Sequence, residues 1–241
     1  IDLAAGTTID GVAPSTGAHT QDTKLTEAEV ERIAGAVETL DVPAVAVTLQ
    51  QCFANDEHEA RLGQRLQSVV PYVALSHKMS PEPREFERTN TTVLNAALMP
   101  LTAGYLEDLQ QAAGNGTNLH LCHSAGGMAS IAAMQERPLA LALSGPAAGV
   151  AAAARIAREL GLTQAIGFDM GGTTTNTCAV IDGKVQVDGN QRLAARPVRQ
   201  LMVAVESIGA GGGSIARVQG QAIRVGPDSA GADPGPACYG F

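Results

Sequence analysis

The sequence predicts an α/β protein with mixed sheets and flanking helices, and two observations carry this prediction. Over about the first 160 residues, apolar side chains at helical spacing alternate with short runs of strand-forming residues. Over the remaining residues, alternating apolar runs are separated by Gly-rich turns, which indicates strands joined by hairpins. A chain of 241 residues is long enough to bury a substantial core, as one large domain or two small ones.

Composition excludes several functional classes. The net charge of −8, the absence of Trp and the few Tyr and Phe argue against a nucleic-acid partner. No apolar run reaches the roughly 18 residues of a membrane span, and no signal peptide is visible, so we expect no membrane partner. Four widely separated cysteines fit reduced thiols, which favours a cytoplasmic location.

The first helices and strands follow from local signals. Thr26 and Glu29 have capping-box spacing, which predicts a helix over residues 27–40. Asn55 is placed to cap a second helix, whose apolar residues recur at helical spacing. Two segments have the pattern of strands, Ala44–Gln50 and Tyr72–Leu75.

The longest predicted helix covers Thr89–Ala113. Gly114 is a typical helix stop, and Pro100 predicts a kink or a split inside the helix. One apolar stripe is expected to face inward, formed by Leu94, Leu98, Leu101, Tyr105 and Leu109.

A polar cluster lies at the start of this helix. It either caps the helix and faces solvent or, because helix N-termini attract anions, contacts a substrate or phosphate. Its members are Glu87, Arg88, Thr91, Thr92 and Asn95.

Between this helix and the β-rich part, short elements are expected. Leu119–Cys122 predicts a strand, Ser124 opens a short helix to about Gln135, and Leu139–Leu143 predicts another strand. A further helix begins near Ser144-Gly145-Pro146 and ends at Gly161. His120 and His123 lie three residues apart, and a structural role is favoured over metal binding.

The last part is predicted to be β throughout. Four strands and one hairpin around Gly220 are expected. The strands are Ala165–Asp169, Asn176–Ile181, Lys184–Val187 and Leu201–Ile208.

One hairpin of this β-rich part carries the chemistry. Gly171 and Gly172 lie between two strands, where backbone N–H groups without neighbouring Cβ atoms form an anion-binding nest. Hydroxyl groups of Thr173, Thr174 and Thr175 add donors, and Asp169 is placed to hold Mg²⁺ through water. The pattern predicts a site for nucleotide phosphates; the alternative is a tight hairpin with β-forming threonines.

The hairpin is similar to the phosphate-binding hairpin of the actin, sugar-kinase and heat-shock ATPases. More narrowly, the chain resembles the hydantoinase A/5-oxoprolinase family over seven ordered segments. They are Val45–Gly63, Arg84–Pro100, Ser124–Met128, Leu143–Val150, Phe168–Asn176, Glu206–Val218 and Val225–Gly240.

The resemblance implies a fold and a division of the chain. The second part is expected to be ribonuclease-H-like. Residues 1–75 would end a first lobe or link to it, residues 76–160 would be mainly helical, and residues 161–241 would form an incomplete ATPase-like lobe. The loop of Gly211, Gly212 and Gly213 would face the nucleotide cleft; the alternative is a close-packed turn.

The resemblance also implies a function. It is that of a subunit of an ATP-dependent amidohydrolase, which phosphorylates and opens a cyclic amide such as a hydantoin or 5-oxoproline. ATP and Mg²⁺ would be the cofactors, Asp169 a catalytic residue that holds Mg²⁺ through water, and a B-type subunit the partner. Two alternatives stay open: the ATP-handling subunit of an acetone- or acetophenone-type carboxylase, and a non-catalytic nucleotide-binding module.

Three departures from the family pattern bear on these expectations. Asn176 stands where family members usually have Asp, and an amide cannot act as a base. The first-lobe hairpin of the family has only a weak counterpart in Asp2–Thr8. Family members continue beyond the position of Phe241, so we expect the sequence to be the middle of a longer subunit.

Other motifs give weaker predictions. The pattern Gly211-x-Gly213-x-x-Ala216 resembles a dinucleotide fingerprint, but a hairpin rather than the required helix is expected after it. Asp233 is a possible ligand and Cys238 a possible nucleophile, although no His lies near Cys238 in sequence. Neither Ser124 nor Ser144 lies in the Gly-x-Ser-x-Gly motif of serine hydrolases.

Overall fold

The computed structural model describes residues 25–114, 116–193 and 195–240, together with two short strands near the N-terminus. These strands, β1 (Asp2–Leu3) and β2 (Thr7–Thr8), pair antiparallel. The turn of the weak first-lobe hairpin, at residues 4–6, lies outside the described residues, as do residues 9–24.

The chain divides into two compact units. Unit 1 comprises Ile1–Leu121, Ala129–Ala142 and Gly189–Gln200. Unit 2 comprises Cys122–Met128, Leu143–Asp188 and Leu201–Phe241.

Unit 1 begins with helices around a parallel strand pair, as the sequence predicts. The strands are β3 (Ala44–Val47) and β4 (Tyr72–Leu75), and the helices are α1 (Glu27–Glu38), α2 (Glu57–Leu66) and the short α3 (Ser76–Met79). The capping box of α1 is present, because Thr26 and Glu29 each accept the other's backbone N–H. Their shared core contains Leu25, Val30, Ile33, Val37, Val45, Val47, Leu62 and Leu66.

The long helix α4 covers Glu85–Ala113 and ends at Gly114, as predicted, but it begins earlier and buries a different face. Pro100 lies inside one continuous helix, so the alternative of a split helix is wrong. The predicted inward stripe is wrong at Leu101 and Tyr105, which are 74% and 63% exposed, whereas Leu94, Leu98 and Leu109 are half-buried. The buried positions are Arg88, Thr91, Thr92, Asn95, Ala96, Ala103 and Leu106.

Short elements follow α4. β5 (His120–Cys122) and β6 (Met128–Ser130) form a two-stranded sheet. The helix predicted from Ser124 is replaced by a turn closed between His123 and Gly127, and α5 (Ile131–Glu136) starts later, capped by the Ser130 hydroxyl. The strand predicted at Leu139–Leu143 is instead a 3-10 helix over Pro138–Leu141, because the Leu139 N–H donates to the Asn95 side chain rather than to a sheet.

The β-rich part is built on helix α6 (Ser144–Glu159) and a small antiparallel sheet. The sheet contains β7 (Gln164–Met170), β8 (Thr175–Ile181) and β12 (Glu206–Ile208) in the order β12–β8–β7, with β9 (Lys184–Val185) also paired to β8. Two hairpins complete it. They are β10 (Val187–Leu193) with β11 (Arg196–Val203), and β13 (Ser214–Gln219) with β14 (Ala222–Ser229).

Most predicted strands of this part are confirmed. One exception is Leu201–Ile208, which is interrupted after Val203 because the Ala204 N–H turns to the Gln186 carbonyl. The other is Lys184–Val187, which is divided at Gln186 between β9 and β10. Helix α6 packs small side chains such as Ala154 and Ala157 against Val180 of β8. The α/β class with mixed sheets is therefore confirmed. In the described part of the chain, no helix is long and apolar enough to cross a membrane.

Candidate phosphate site in unit 2

The glycines of the predicted phosphate segment form the tip of an antiparallel hairpin. Residues 171–174 join β7 to β8, and the Gly171 N–H donates to the Thr174 carbonyl at 2.9 Å. The tip is exposed, and no hydrogen bond joins the N–H of Gly172 or Thr173 to another described residue. The N–H groups of Gly172 and Thr173 are therefore two adjacent backbone donors without a partner among the described residues, which an anion-binding nest needs.

A second glycine-rich loop packs directly on this tip. The N–H groups of Gly212 and Gly213 donate to the carbonyls of Gly171 and Gly172 at 2.9 and 2.7 Å. A Cβ on Gly211 would lie 2.6 Å from the Gly171 carbonyl oxygen, so only glycine permits this approach. The structure thus brings together the two glycine motifs that the sequence singled out.

Thr175 joins the two loops rather than facing the solvent. It is fully buried, and its hydroxyl donates to the Ala210 carbonyl at 2.6 Å. Thr173 and Thr174 are exposed at the tip. Of the three predicted hydroxyl donors, Thr175 therefore supports the loop while the other two remain accessible.

Two serines that the sequence reasoning missed hold the second loop. The Ser214 hydroxyl accepts the Gly211 N–H at 2.8 Å, and the Ser229 hydroxyl donates to the Gly213 carbonyl at 3.3 Å. Serine directly after three glycines is a turn signal, and it could have identified Ser214 from the sequence. The loop continues into the β13–β14 hairpin, so the crossover helix of a dinucleotide fold does not follow it.

A cavity of about 580 Å³ opens between the two loops and the C-terminal segment. This volume is within the usual range for small-molecule sites. Cys238 lies on its wall and is exposed, whereas Asp233 does not line it. The lining residues are Gly171, Gly172, Thr173, Gly212, Gly213, Ser229, Gly231, Ala232, Pro236 and Cys238.

Asp169 ends β7 beside the tip and is exposed. Residues 25–114, 116–193 and 195–240 contain no group of three or more His, Cys, Asp or Glu side chains that could hold a metal ion. A single accessible carboxylate fits Mg²⁺, which keeps most of its water ligands and shares phosphate oxygens. His123 has the expected structural role, because its Nδ1 accepts the Ala125 N–H at 3.2 Å.

Next to Asp169, polar side chains form a row across three strands. Asp169 is directly opposite Asn176, which is directly opposite Ser207 on β12. The Ser207 hydroxyl donates to Asn176 Oδ1 at 2.6 Å. The three side chains share one face, because directly opposite residues of antiparallel strands project to the same side.

The polar side chains at the start of α4 make hydrogen bonds to other residues of unit 1. The Thr91 hydroxyl accepts the Arg199 N–H, and Asn95 bonds the Glu136 carbonyl and the Leu139 N–H. Arg88 is fully buried and donates to the carbonyls of Glu82 and Leu49. These groups are used in packing, so the interpretation as an anion contact is not supported.

Both glycine-rich loops lie in the part of the chain that matches a known protein family. The model of the hydantoinase/oxoprolinase family matches residues 88–241, which include the hairpin tip and the second glycine loop. The chain belongs to this family. It is 38% identical over 236 residues to an uncharacterised protein of Methanocaldococcus jannaschii, covering 90% of this chain and 35% of that protein.

An ATP-dependent caprolactamase is similar to this chain in both sequence and structure. The α subunit of caprolactamase from Pseudomonas jessenii is 35% identical over 205 residues, covering 83% of this chain and 30% of that subunit. The crystal structure of this ATP-dependent caprolactamase superposes with a TM-score of 0.78 at 32% identity, over 92% of this chain and 33% of that one.

Nucleotide-free acetone carboxylase superposes with a TM-score of 0.67 at 28% identity, over 86% of this chain and 30% of that one. The chain therefore spans about a third of the length of the relatives it matches.

Proposed function

We propose that unit 2 binds the phosphates of ATP between the hairpin tip (Gly171–Thr175) and the loop Gly211–Gly213. The observation that carries this proposal is the direct backbone bonding of the two glycine-rich loops beside one cavity. The N–H groups of Gly172 and Thr173, which have no partner among the described residues, would donate to phosphate oxygens, and the hydroxyls of Thr173 and Thr174 would add donors. The ATP dependence in the caprolactamase and acetone carboxylase names supports this choice of ligand.

Asp169 is the residue placed to hold Mg²⁺, through water. Mg²⁺ bound there would neutralise charge on the transferring phosphoryl group. The chain supplies one carboxylate and a set of backbone dipoles, and the phosphates themselves would complete the coordination. The ribonuclease-H-like assignment of unit 2 belongs to this proposal, supported by the β7–β8 hairpin and by α6 packed on one face of the sheet.

The proposed reaction is the ATP-dependent opening of a cyclic amide of the hydantoin or 5-oxoproline type. An amide resists attack by water because its carbonyl carbon is weakly electrophilic, and phosphorylation of the carbonyl oxygen removes this resistance. The name of the caprolactamase relative, which refers to a cyclic amide, supports this substrate class. That relative is an α subunit, which supports a second, B-type subunit as partner.

A second candidate is the ATP-handling subunit of a carboxylase for acetone or acetophenone. The acetone carboxylase structure and the acetophenone carboxylase γ subunit, 33% identical over 216 residues, favour it. In that case the phosphorylated group is an enolate oxygen rather than an amide oxygen. Turnover of a cyclic amide without bicarbonate incorporation would support the hydrolase, and incorporation of labelled bicarbonate into a ketone would support the carboxylase.

Calorimetric titration with ATP, with and without Mg²⁺, tests the site. We expect the Asp169→Ala variant to lose at least about tenfold in Mg²⁺-dependent affinity, with little change in the affinity for Mg²⁺-free ATP. The matched control is Glu206→Gln, which removes an exposed carboxylate from the opposite face of the same sheet. Equal Mg²⁺-dependent affinities in the parent chain and the Asp169→Ala variant would remove Asp169 from the site.

A further inference from the structure

The row of Asp169, Asn176 and Ser207 assigns a role to a serine that the proposed phosphate site does not include. We infer that Ser207 is a positioning residue, which orients the Asn176 carboxamide so that its NH₂ group donates a hydrogen bond to a nucleotide phosphate. This inference rests on the proposed function and extends it from backbone donors to one oriented side-chain donor.

The orientation follows from the hydrogen bond and the strand register. The Ser207 hydroxyl donates to Asn176 Oδ1 at 2.6 Å, on the side of β12. Because the carboxamide is planar, the NH₂ group lies on the other side, toward β7 and Asp169. Directly opposite residues have Cβ atoms roughly 5 Å apart, so Asp169 is the neighbouring member of the row on that side.

The row lies next to the hairpin tip, although none of its three side chains lines the cavity of about 580 Å³. Asp169 and Asn176 lie at the base of this tip, whose N–H groups at Gly172 and Thr173 form the proposed nest. Asn176 is half-buried, and its contact with Ser207 removes the freedom of the carboxamide to rotate. A donor that is held in place before binding gains affinity, because its ordering cost is already met in the free protein.

The charge of the row explains why an amide is suitable at this position. Asn176 is neutral, so Asp169 is the one carboxylate of the row. A carboxylate at position 176 would place two negative charges side by side and repel a phosphate unless a cation lay between them. The amide instead adds a donor for the phosphate without adding to this charge.

Three variants test the inference by calorimetry. We expect Ser207→Ala to weaken the binding of ATP about fivefold to tenfold, both with and without Mg²⁺, and Ser207→Thr to restore it because the hydroxyl is retained. Asn176→Asp should weaken the binding of Mg²⁺-free ATP while largely keeping that of Mg²⁺-ATP. The matched control is Thr177→Ala on the opposite face of the same strand, which should bind as the parent chain does.

An NMR measurement without nucleotide tests the orientation itself. In the parent chain, the side-chain ¹⁵N order parameter of Asn176 should be high because Ser207 restrains rotation about the Cβ–Cγ bond, and Ser207→Ala should lower it and shift the NH₂ signals. Identical Asn176 signals in the parent and Ser207→Ala, or equal ATP affinities in these two proteins, would overturn the inference alone. Failure of the parent chain to bind ATP would overturn the phosphate contact together with the proposed function.

Discussion

Unit 1 and unit 2 place their polar groups in opposite ways. In unit 1, Glu59 is fully buried, and its carboxylate accepts four hydrogen bonds. The donors are the Leu49 N–H, the Ser76 hydroxyl, and the backbone N–H and Nδ1 of His77, at 2.5 to 3.2 Å. In unit 2, the candidate site consists largely of exposed backbone groups of glycines, with few charged side chains.

The difference shows that charged side chains do not by themselves mark the functional site of this protein. Arg88 is buried, pairs with Glu85, and lies 5.5 Å from the centre of the Phe53 ring. Such groups are costly to bury and are retained only when the fold supplies their partners. Polar groups whose hydrogen bonds are made within the fold stabilise the structure. Backbone N–H groups without a partner beside a cavity, such as those of Gly172 and Thr173, can instead bind a ligand.

The largest expected effect concerns the buried carboxylate of unit 1. Glu59→Gln replaces one acceptor oxygen by an NH₂ group that faces N–H and O–H donors, and it removes a charge that the site is built to hold. We expect the stability of this region to fall by about 3 to 5 kcal/mol. Hydrogen exchange of peptides from residues 44–79, followed by mass spectrometry, measures this loss.

The control for this variant is Glu57→Gln, an exposed position in the first turn of the same helix, α2. We expect its hydrogen exchange to match that of the parent chain. The comparison between the units would fail if Glu59→Gln kept its protection from exchange but lost affinity for ATP, because Glu59 would then act in the functional site.

The second prediction concerns the contact between the two glycine loops. In Gly211→Ala, the new Cβ would lie within 2.8 Å of backbone atoms of Gly171 and Gly172, so the loops must separate. We expect ATP affinity to fall about tenfold or more. Gly209→Ala is the control, since its nearest contact is an ordinary 3.7 Å and its ATP affinity should be unchanged. Parent-like affinity in Gly211→Ala would show that the packing of the loops does not form the site.

A smaller effect is expected at the buried hydroxyl that joins the same loops. Thr175→Val keeps the shape of the side chain but leaves the half-buried Ala210 carbonyl without its donor. We expect a loss of about 1 to 2 kcal/mol in stability and a reduced ATP affinity, with Thr175→Ser close to the parent chain. Thermal unfolding and calorimetry measure the two effects, and an unchanged melting temperature in Thr175→Val would contradict the assigned hydrogen bond.

Much of the fold could be predicted because local signals agree with the final structure. The capping box at Thr26 and Glu29 and the helix stop at Gly114 are short-range features. The glycine hairpin was placed correctly for the same reason. Sequence spacing alone, however, does not show that Gly211 lies against Gly171, because this contact depends on the fold of the whole unit.

The errors arise where tertiary hydrogen bonds outweigh local pattern. The apolar stripe of α4 is exposed at Leu101 and Tyr105. The buried face instead carries polar groups that find partners, such as the Glu136 carbonyl for Asn95 and the Arg199 N–H for Thr91. The strand predicted near Leu139 fails because its N–H bonds the same Asn95. No signal within a single helix identifies such partners, since they are supplied by residues about 40 to 110 positions away.

The last comparison concerns how readily a cysteine of each unit reacts with an alkylating reagent. Cys52 of unit 1 is 3% exposed, whereas Cys238 is exposed on the cavity of unit 2. At pH 8, iodoacetamide should therefore modify Cys238 readily and Cys52 only after unfolding in urea, as mass spectrometry of the labelled peptides will show. Rapid labelling of both cysteines in the folded chain would contradict the burial of Cys52.

Alkaline pH should reveal the same burial as a change in stability. Burial raises the pKa of the Cys52 thiol, and its hydrogen bond with Ser76 opposes this effect only in part. Because the folded pKa is above the unfolded one, the contribution of Cys52 is fully present below roughly pH 8 and is lost as pH rises through the folded pKa. Urea unfolding at pH 7 and pH 9.5 should show a smaller decline for Cys52→Ala than for the parent chain. Equal declines would mean that this thiol ionises alike in the folded and unfolded chains, so that the core of unit 1 does not hold it neutral.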